Sequence, residues 1–165
     1  MKIIRLIEKI RNYIRLIYYK TIFGNKLKVG KKVSARKSFN IRIGERGKLE
    51  IGDNCFFNNN LSISVMDNIK IGDNSIFGEN VKIYDHNHIF NIEETLIKDS
   101  GYKVKEVSIG KNCWIGSNVV ILKGVSIGNN VVVGANCLIK EDIPDNIIVQ
   151  LKNNIDLVNI QYKKR

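Results

Sequence analysis

A mainly β, parallel solenoid with an N-terminal amphipathic helix and one excursion loop is the fold class predicted by this 165-residue sequence. Three observations carry the prediction. A six-residue repeat runs from residue 51 onward, Gly and Asn recur at fixed places within it, and apart from a two-residue insertion, Ile69-Lys70, the count has one long break, at residues 89–106.

The units are IGDNCF (51–56), FNNNLS (57–62) and ISVMDN (63–68), then IGDNSI (71–76), FGENVK (77–82) and IYDHNH (83–88). After the break come IGKNCW (109–114), IGSNVV (115–120), ILKGVS (121–126), IGNNVV (127–132) and VGANCL (133–138); a weaker unit starts at Ile43. The first place is always Ile, Val or Phe, the second usually Gly and the fourth usually Asn. Places five, six and one make a short strand whose side chains alternate, so five and one point inward and six outward. Places two to four make a corner, where Gly and Asn are expected because both tolerate positive φ. Three such facets close a triangular coil, so each turn takes three units. Coils stack at ~4.8 Å, and each inward Ile or Val contributes roughly 1.5–3 kcal/mol of burial. The period leaves the hand of the coil open.

Residues 25–150 are assigned to the solenoid domain, with loop 89–106 inside it. Residues 1–24 form the helical segment and 151–165 a basic tail ending in Lys163-Lys164-Arg165. Over 3–19, Ile3, Ile7, Ile10, Ile14 and Ile17 recur at helical spacing among Arg5, Lys9, Arg11 and Arg15, and Gly24-Asn25 is a stop. Such a helix packs on the solenoid end or on a neighbouring subunit; the alternative is an interfacial helix on acidic membrane lipid. Residues 155–162 suit a terminal strand or a short helix.

Composition bounds the function. Apolar residues make up 44% of the chain, which supports a core and argues against disorder. The net charge is +11, and more than half of the 27 Lys and Arg precede residue 49, where the only acids are Glu8 and Glu45. A positive field favours anionic partners: nucleic acid, acidic lipid or a phosphate-bearing cofactor. No nucleic-acid module is recognisable, so nucleic acid has no support beyond charge. Cys55, Cys113 and Cys137 all fall in place five and read as small core residues, with neither disulfide nor zinc spacing. No run is long enough to span a bilayer and no secretory signal is evident, so the cytoplasm is the expected compartment.

Chemistry concentrates in the unit Ile83-Tyr84-Asp85-His86-Asn87-His88. It breaks the Gly and Asn rule most severely, holds both histidines of the chain and precedes the long loop. Long loops in compact repeats are usually functional. His88 occupies place six, so its ring is expected to point outward; His86 occupies place four, a corner. Asp85 is placed to orient a histidine. Asp85 and His86 are counted among the residues on the acceptor side.

The repeat resembles that of the left-handed β-helix acyltransferases. Residues 43–149 are similar to the galactoside, maltose and xenobiotic O-acetyltransferase group of that family. The resemblance implies a left-handed coil, a homotrimer with active sites between subunits, acetyl-CoA as co-substrate, a sugar or glycan acceptor and no metal. The family's catalytic His falls on His88, and its acceptor-contacting Asn on Asn58 of Phe57-Asn58-Asn59-Asn60. Its contacts with the pantetheine arm fall on Ser117 and Ala135, which are three units apart and so stack at one corner. Trp114, in the Trp-Ile-Gly-Ser stretch, lies beside the acceptor and the donor in that group. Neutral imidazole, which titrates near pH ~6.5 in water, would take the hydroxyl proton as the oxygen attacks the thioester. The family's Gly-x-Pro-Ala motif falls on Leu151-Lys152-Asn153-Asn154 and its Thr-Lys-Asp-Ile-Pro element on Lys140-Glu141-Asp142-Ile143-Pro144. Lys140 and Lys152 are therefore the substitute cations for the CoA nucleotide.

The expected function is O-acetylation of a sugar in capsule or lipopolysaccharide biosynthesis, at the inner face of the membrane. The alternatives are an N-acetyltransferase of a nucleotide-linked amino sugar and a non-catalytic scaffold or lipid-binding module. A carbonic anhydrase on the same fold would need three His ligands, and the chain has two histidines.

Overall fold

The computed structural model describes residues 2–151, including their side chains except those of residues 2–6 and 9. Lys152 and the terminal element expected at 155–162 lie outside the described residues. Three parallel sheets form the sides of a prism. The first holds strands Leu27–Val29, Lys48–Ile51, Asn68–Ile71, Val107–Ile109 and Ser126–Ile127. The second holds Ser34–Ala35, Phe56–Phe57, Ile76–Phe77, Trp114–Ile115, Val132–Val133 and Ile148–Val149. The third holds Asn40–Ile43, Ser62–Val65, Lys82–Tyr84, Val120–Ile121 and Leu138–Ile139. The chain visits the sheets in turn and makes about six coils.

The inward places build the core. Ile51, Ile71, Ile109 and Ile127 line the first sheet; Phe57, Phe77, Ile115 and Val133 the second; Ile63, Ile83 and Ile121 the third, all buried. Phe39, Phe57 and Phe77 stack through successive coils with centroids 4.9 and 4.8 Å apart. Cys55, Cys113 and Cys137 are buried and free. Burial raises the Cys55 and Cys113 thiols above their ordinary pKa. Ser75, a buried hydroxyl at place five, donates to Gly110 O at 3.0 Å and accepts from Cys113 N at 3.1 Å.

The corners divide their labour differently from the sequence expectation. Asn at place four does take positive φ, between 54° and 64° from Asn54 to Asn136. Gly at place two does not; Gly24, Gly101 and Gly124 are the described glycines with positive φ. Place two is glycine because the next coil leaves no room. A Cβ on Gly116 would stand 2.6 Å from Ala135 N, and one on Gly78 2.6 Å from Ser117 N. The asparagine amides join coil to coil: Asn80 donates to Asn118 at 2.9 Å and Asn118 to Asn136 at 3.0 Å.

The solenoid begins at Leu27, inside the 25–150 span, whereas the first unit found by counting starts at Ile43. Lys32 and Ser38 take φ of 55° where Asn stands later, and these residue types conceal the frame. Nor is every coil three units long. Along the first sheet Leu27 pairs with Leu49, Leu49 with Ile69, Ile69 with Val107, Ser108 with Ser126 and Ile127 with Ile143. Of these steps, the one from Ser108 to Ser126 alone spans three whole units. The first three are longer and the last is shorter. Every departure falls at the corner between the third and first sheets.

The helix α1, Lys2–Phe23, covers the open end of the first coil. Backbone N–H and C=O groups that face away from the second coil have no strand partner, a liability for any sheet edge. Side chains of α1 satisfy them. Ala35 N donates to Asn12 Oδ1 at 2.7 Å, Asn12 Nδ2 donates to Val33 O at 3.2 Å, and Tyr19 OH donates to Phe39 O at 2.8 Å. Arg15 donates to Arg36 O. The packing face is thus Asn12, Arg15, Tyr19 and Phe23. Ile10 and Ile14 of the predicted isoleucine stripe are turned away from the solenoid, 50% and 60% exposed, while Ile17 borders a groove between the helix and the first coil.

Candidate functional site

The long break leaves the third sheet after Tyr84 and returns at Val107. It is partly ordered by a hairpin: His86–His88 pairs antiparallel with Tyr102–Val104, His88 opposite Tyr102. A further bond, Ile89 N to Gly101 O at 3.1 Å, extends the pairing. Lys105 fixes the foot of the loop, its N–H donating to Asp85 O at 2.8 Å and its carbonyl accepting from Gly124 N at 3.1 Å. His86 is therefore in a strand, where the repeat count put a corner.

Asp85 is completely buried. Its carboxylate accepts from Met66 N at 2.9 and 3.0 Å and from Asp67 N at 2.7 Å, closing the corner of the preceding coil. It also lies 2.8 Å from His86 Nδ1. A carboxylate held by backbone donors is an acceptor, so Nδ1 of His86 is the donor in this contact. Asp85 thus orients His86, not His88.

His88 is exposed and projects outward. Its ring centroid lies 4.6 Å from that of Tyr102, which also meets His86 edge-on at 5.2 Å. Tyr102 escaped sequence reasoning because the repeat says nothing inside the break, and no short turn motif marks the hairpin.

The other expected residues stand at a different corner. Asn58, Ser117 and Ala135 lie between the second and third sheets. Asn58 Oδ1 accepts from Arg36 at 3.3 Å and from Asn59 N at 2.9 Å. Ser117 and Ala135 do stack, since Asn136 N donates to Ser117 O at 2.8 Å. Along this corner the third place runs Asn59, Glu79, Ser117, Ala135. The last two are small. Lys140 is exposed at the corner that follows the third sheet. Trp114 is 55% exposed on the second sheet. It belongs to an outward apolar column with Phe56, Ile76, Val132 and Ile148, visible in the sequence only by comparing place six between coils. Among the described residues no group of three or more His, Cys, Asp or Glu is placed to hold a metal ion. No helix among them is long and apolar enough to cross a membrane.

Residues 106–141 match the bacterial transferase hexapeptide (six repeats) family. A hexapeptide-repeat acetyltransferase from Vibrio cholerae O1 biovar eltor, solved with acetyl coenzyme A, is 28% identical, with a TM-score of 0.70 over 82% of this chain and 70% of that one. A maltose O-acetyltransferase from Clostridium difficile 630 is 34% identical, with a TM-score of 0.62 over 78% of this chain and 67% of that one. A galactoside acetyltransferase in complex with coenzyme A is 31% identical, with a TM-score of 0.65 over 78% and 63%. No curated protein matches the chain.

Proposed function

This chain belongs to the hexapeptide-repeat acetyltransferases, left-handed parallel β-helix proteins, and from that premise we propose that it moves the acetyl group of acetyl-CoA to a sugar hydroxyl, with His88 as general base. The observation that carries the reading is the exposed His88 imidazole, held on a hairpin against Tyr102 at the mouth of the excursion loop. The imidazole takes the hydroxyl proton while the oxygen bonds to the acetyl carbonyl carbon. The C–S bond breaks, and the imidazolium passes the proton to the departing sulfur, so CoA leaves as the thiol and the base is regenerated. Ser117 and Ala135 line the track of the pantetheine arm; Lys140 and Lys152 are assigned to the nucleotide phosphates. Trp114 and Asn58 are assigned to the acceptor. Of the two other residues expected on the acceptor side, Asp85 is fully buried and is reassigned to orienting His86, while His86 keeps that assignment at the base of the hairpin.

The active unit is a homotrimer. Two observations support this. His88 and the Asn58, Ser117 and Ala135 set belong to different corners of one chain, so a neighbour is needed to bring such residues together. The apolar column through Ile76 and Trp114 and the loop residues Phe90, Ile92, Leu96 and Ile97 also expose surface that a neighbour would cover. The pathway we assign is capsule or lipopolysaccharide biosynthesis, at the cytoplasmic face of the membrane.

The test is acetyl-CoA turnover, read as thiol release, against sugars with and without free amines. His88→Ala is expected to lower the rate about 10²–10⁴-fold. Full activity in that variant would remove His88 as base, and turnover confined to amino sugars would move the reaction to nitrogen.

A further inference from the structure

Helix α1 presents two unlike faces. One, through Asn12, Arg15, Tyr19 and Phe23, caps the first coil. At about 3.6 residues per turn, Ile7, Ile10, Ile14 and Ile17 fall on the side opposite Tyr19. They are 46–60% exposed, and Tyr13 and Tyr18 beside them are 68% and 59% exposed. Contiguous exposed apolar surface of this kind marks an interaction site.

Charge selects the occupant. More than half of the 27 Lys and Arg precede residue 49, against only Glu8 and Glu45, while the rest of the chain is slightly acidic. Arg11 and Lys20 flank the isoleucine stripe on its two sides. The first coil adds exposed Lys31, Lys32, Arg36 and Lys37. A second copy of this end would set that excess against itself, and the basic C-terminal tail would be repelled as well. A surface that is apolar below and anionic above satisfies both features.

We propose that α1 lies in the plane of an anionic lipid bilayer. Its isoleucine stripe enters the boundary between headgroups and acyl chains, with the tyrosines at headgroup level and the cations on lipid phosphates. Because α1 covers the first coil, the bilayer faces that end of the solenoid. His88 leaves the third coil, two inter-strand steps or ~10 Å along the axis. The acceptor class is then a glycan held on a membrane lipid. That last step rests on the acetyltransferase reading; the membrane contact does not.

Flotation of the full chain with vesicles tests the contact, using phosphatidylcholine alone and phosphatidylcholine with phosphatidylglycerol. Partition is expected to be about tenfold or more stronger on the anionic vesicles and to fall with salt. The double variant Ile10→Gln, Ile14→Gln should lose about tenfold of that binding, with its circular dichroism and its turnover of a soluble sugar unchanged. No binding, equal binding to neutral vesicles, or wild-type binding by the double variant overturns the proposal. So does a change of oligomeric state in that variant by light scattering, which would make the stripe a subunit contact. Thioester turnover is read separately and bears on the acetyltransferase reading alone.

Discussion

Gly116→Ala tests why glycine occupies the second place of each unit. The added methyl would meet Ala135 N at 2.6 Å and Val133 O at 2.8 Å, where ordinary contact begins at roughly 3.4 Å. Both neighbours are backbone of the next coil, so the two coils must part locally by about 0.8 Å. The bonds Gly116 N to Val133 O, 2.7 Å, and Asn136 N to Ser117 O, 2.8 Å, then stretch out of range. Overpacking costs about 1–3 kcal/mol, and each of the two lost bonds adds about 1 kcal/mol, so a loss of about 3–5 kcal/mol is expected. At about 2–4 °C per kcal/mol for a chain of this size, the melting temperature should fall about 6–20 °C. Differential scanning calorimetry measures it. Gly116→Asn supplies the discriminating comparison. If glycine were needed for positive φ, Asn would be tolerated better than Ala; if stacking excludes a side chain, Asn is worse. An alanine variant melting with wild type, or an asparagine variant melting above the alanine one, would refute the packing argument.

Two further outcomes are expected. Cys55 and Cys113, buried and with thiols raised in pKa, should resist a thiol reagent at pH 8 in the native protein and react fully in guanidinium; native labelling of either would contradict their place in the core. The Asp73 carboxyl is held below its ordinary pKa, first by the Asp53 N–H and then by Lys111. A lowered folded pKa stabilises above the ordinary carboxylate value of ~3.9 and is lost as pH falls through the folded one. Asp73→Asn should therefore melt below wild type at pH 7, with the gap closing toward pH 3; a gap that widens in acid would disprove the sign.

The core was legible from period alone, because inward places one and five must be apolar or small wherever the chain stacks on itself. The asparagine corners were legible too. What the pattern concealed is instructive. Glycine at place two answers a clash with a residue about one coil away, which no local rule for φ detects. The first coil was hidden because Lys32 and Ser38 hold a conformation that Asn usually marks. The isoleucines of α1 do form one stripe, but the edge they were expected to cover needed hydrogen bonds, and Asn12, Arg15 and Tyr19 supplied those instead. At the site, His88 is exposed as expected, but on a hairpin that the unit count does not describe. The buried tie between Asp85 and His86 does not follow from that count either, because it depends on Met66 and Asp67 of the preceding coil.

Of the prism's three edges, two are fixed by interlocked asparagines and glycines that admit nothing extra. The third absorbs short insertions after Ile43 and Val65 and a whole hairpin after Tyr84, then contracts before Ile143, while the strands on either side keep their partners. Length is thus free to vary along one seam only. New chemistry can be appended there without renegotiating the body, and segments grafted in place of residues 89–101 should inherit a rigid platform.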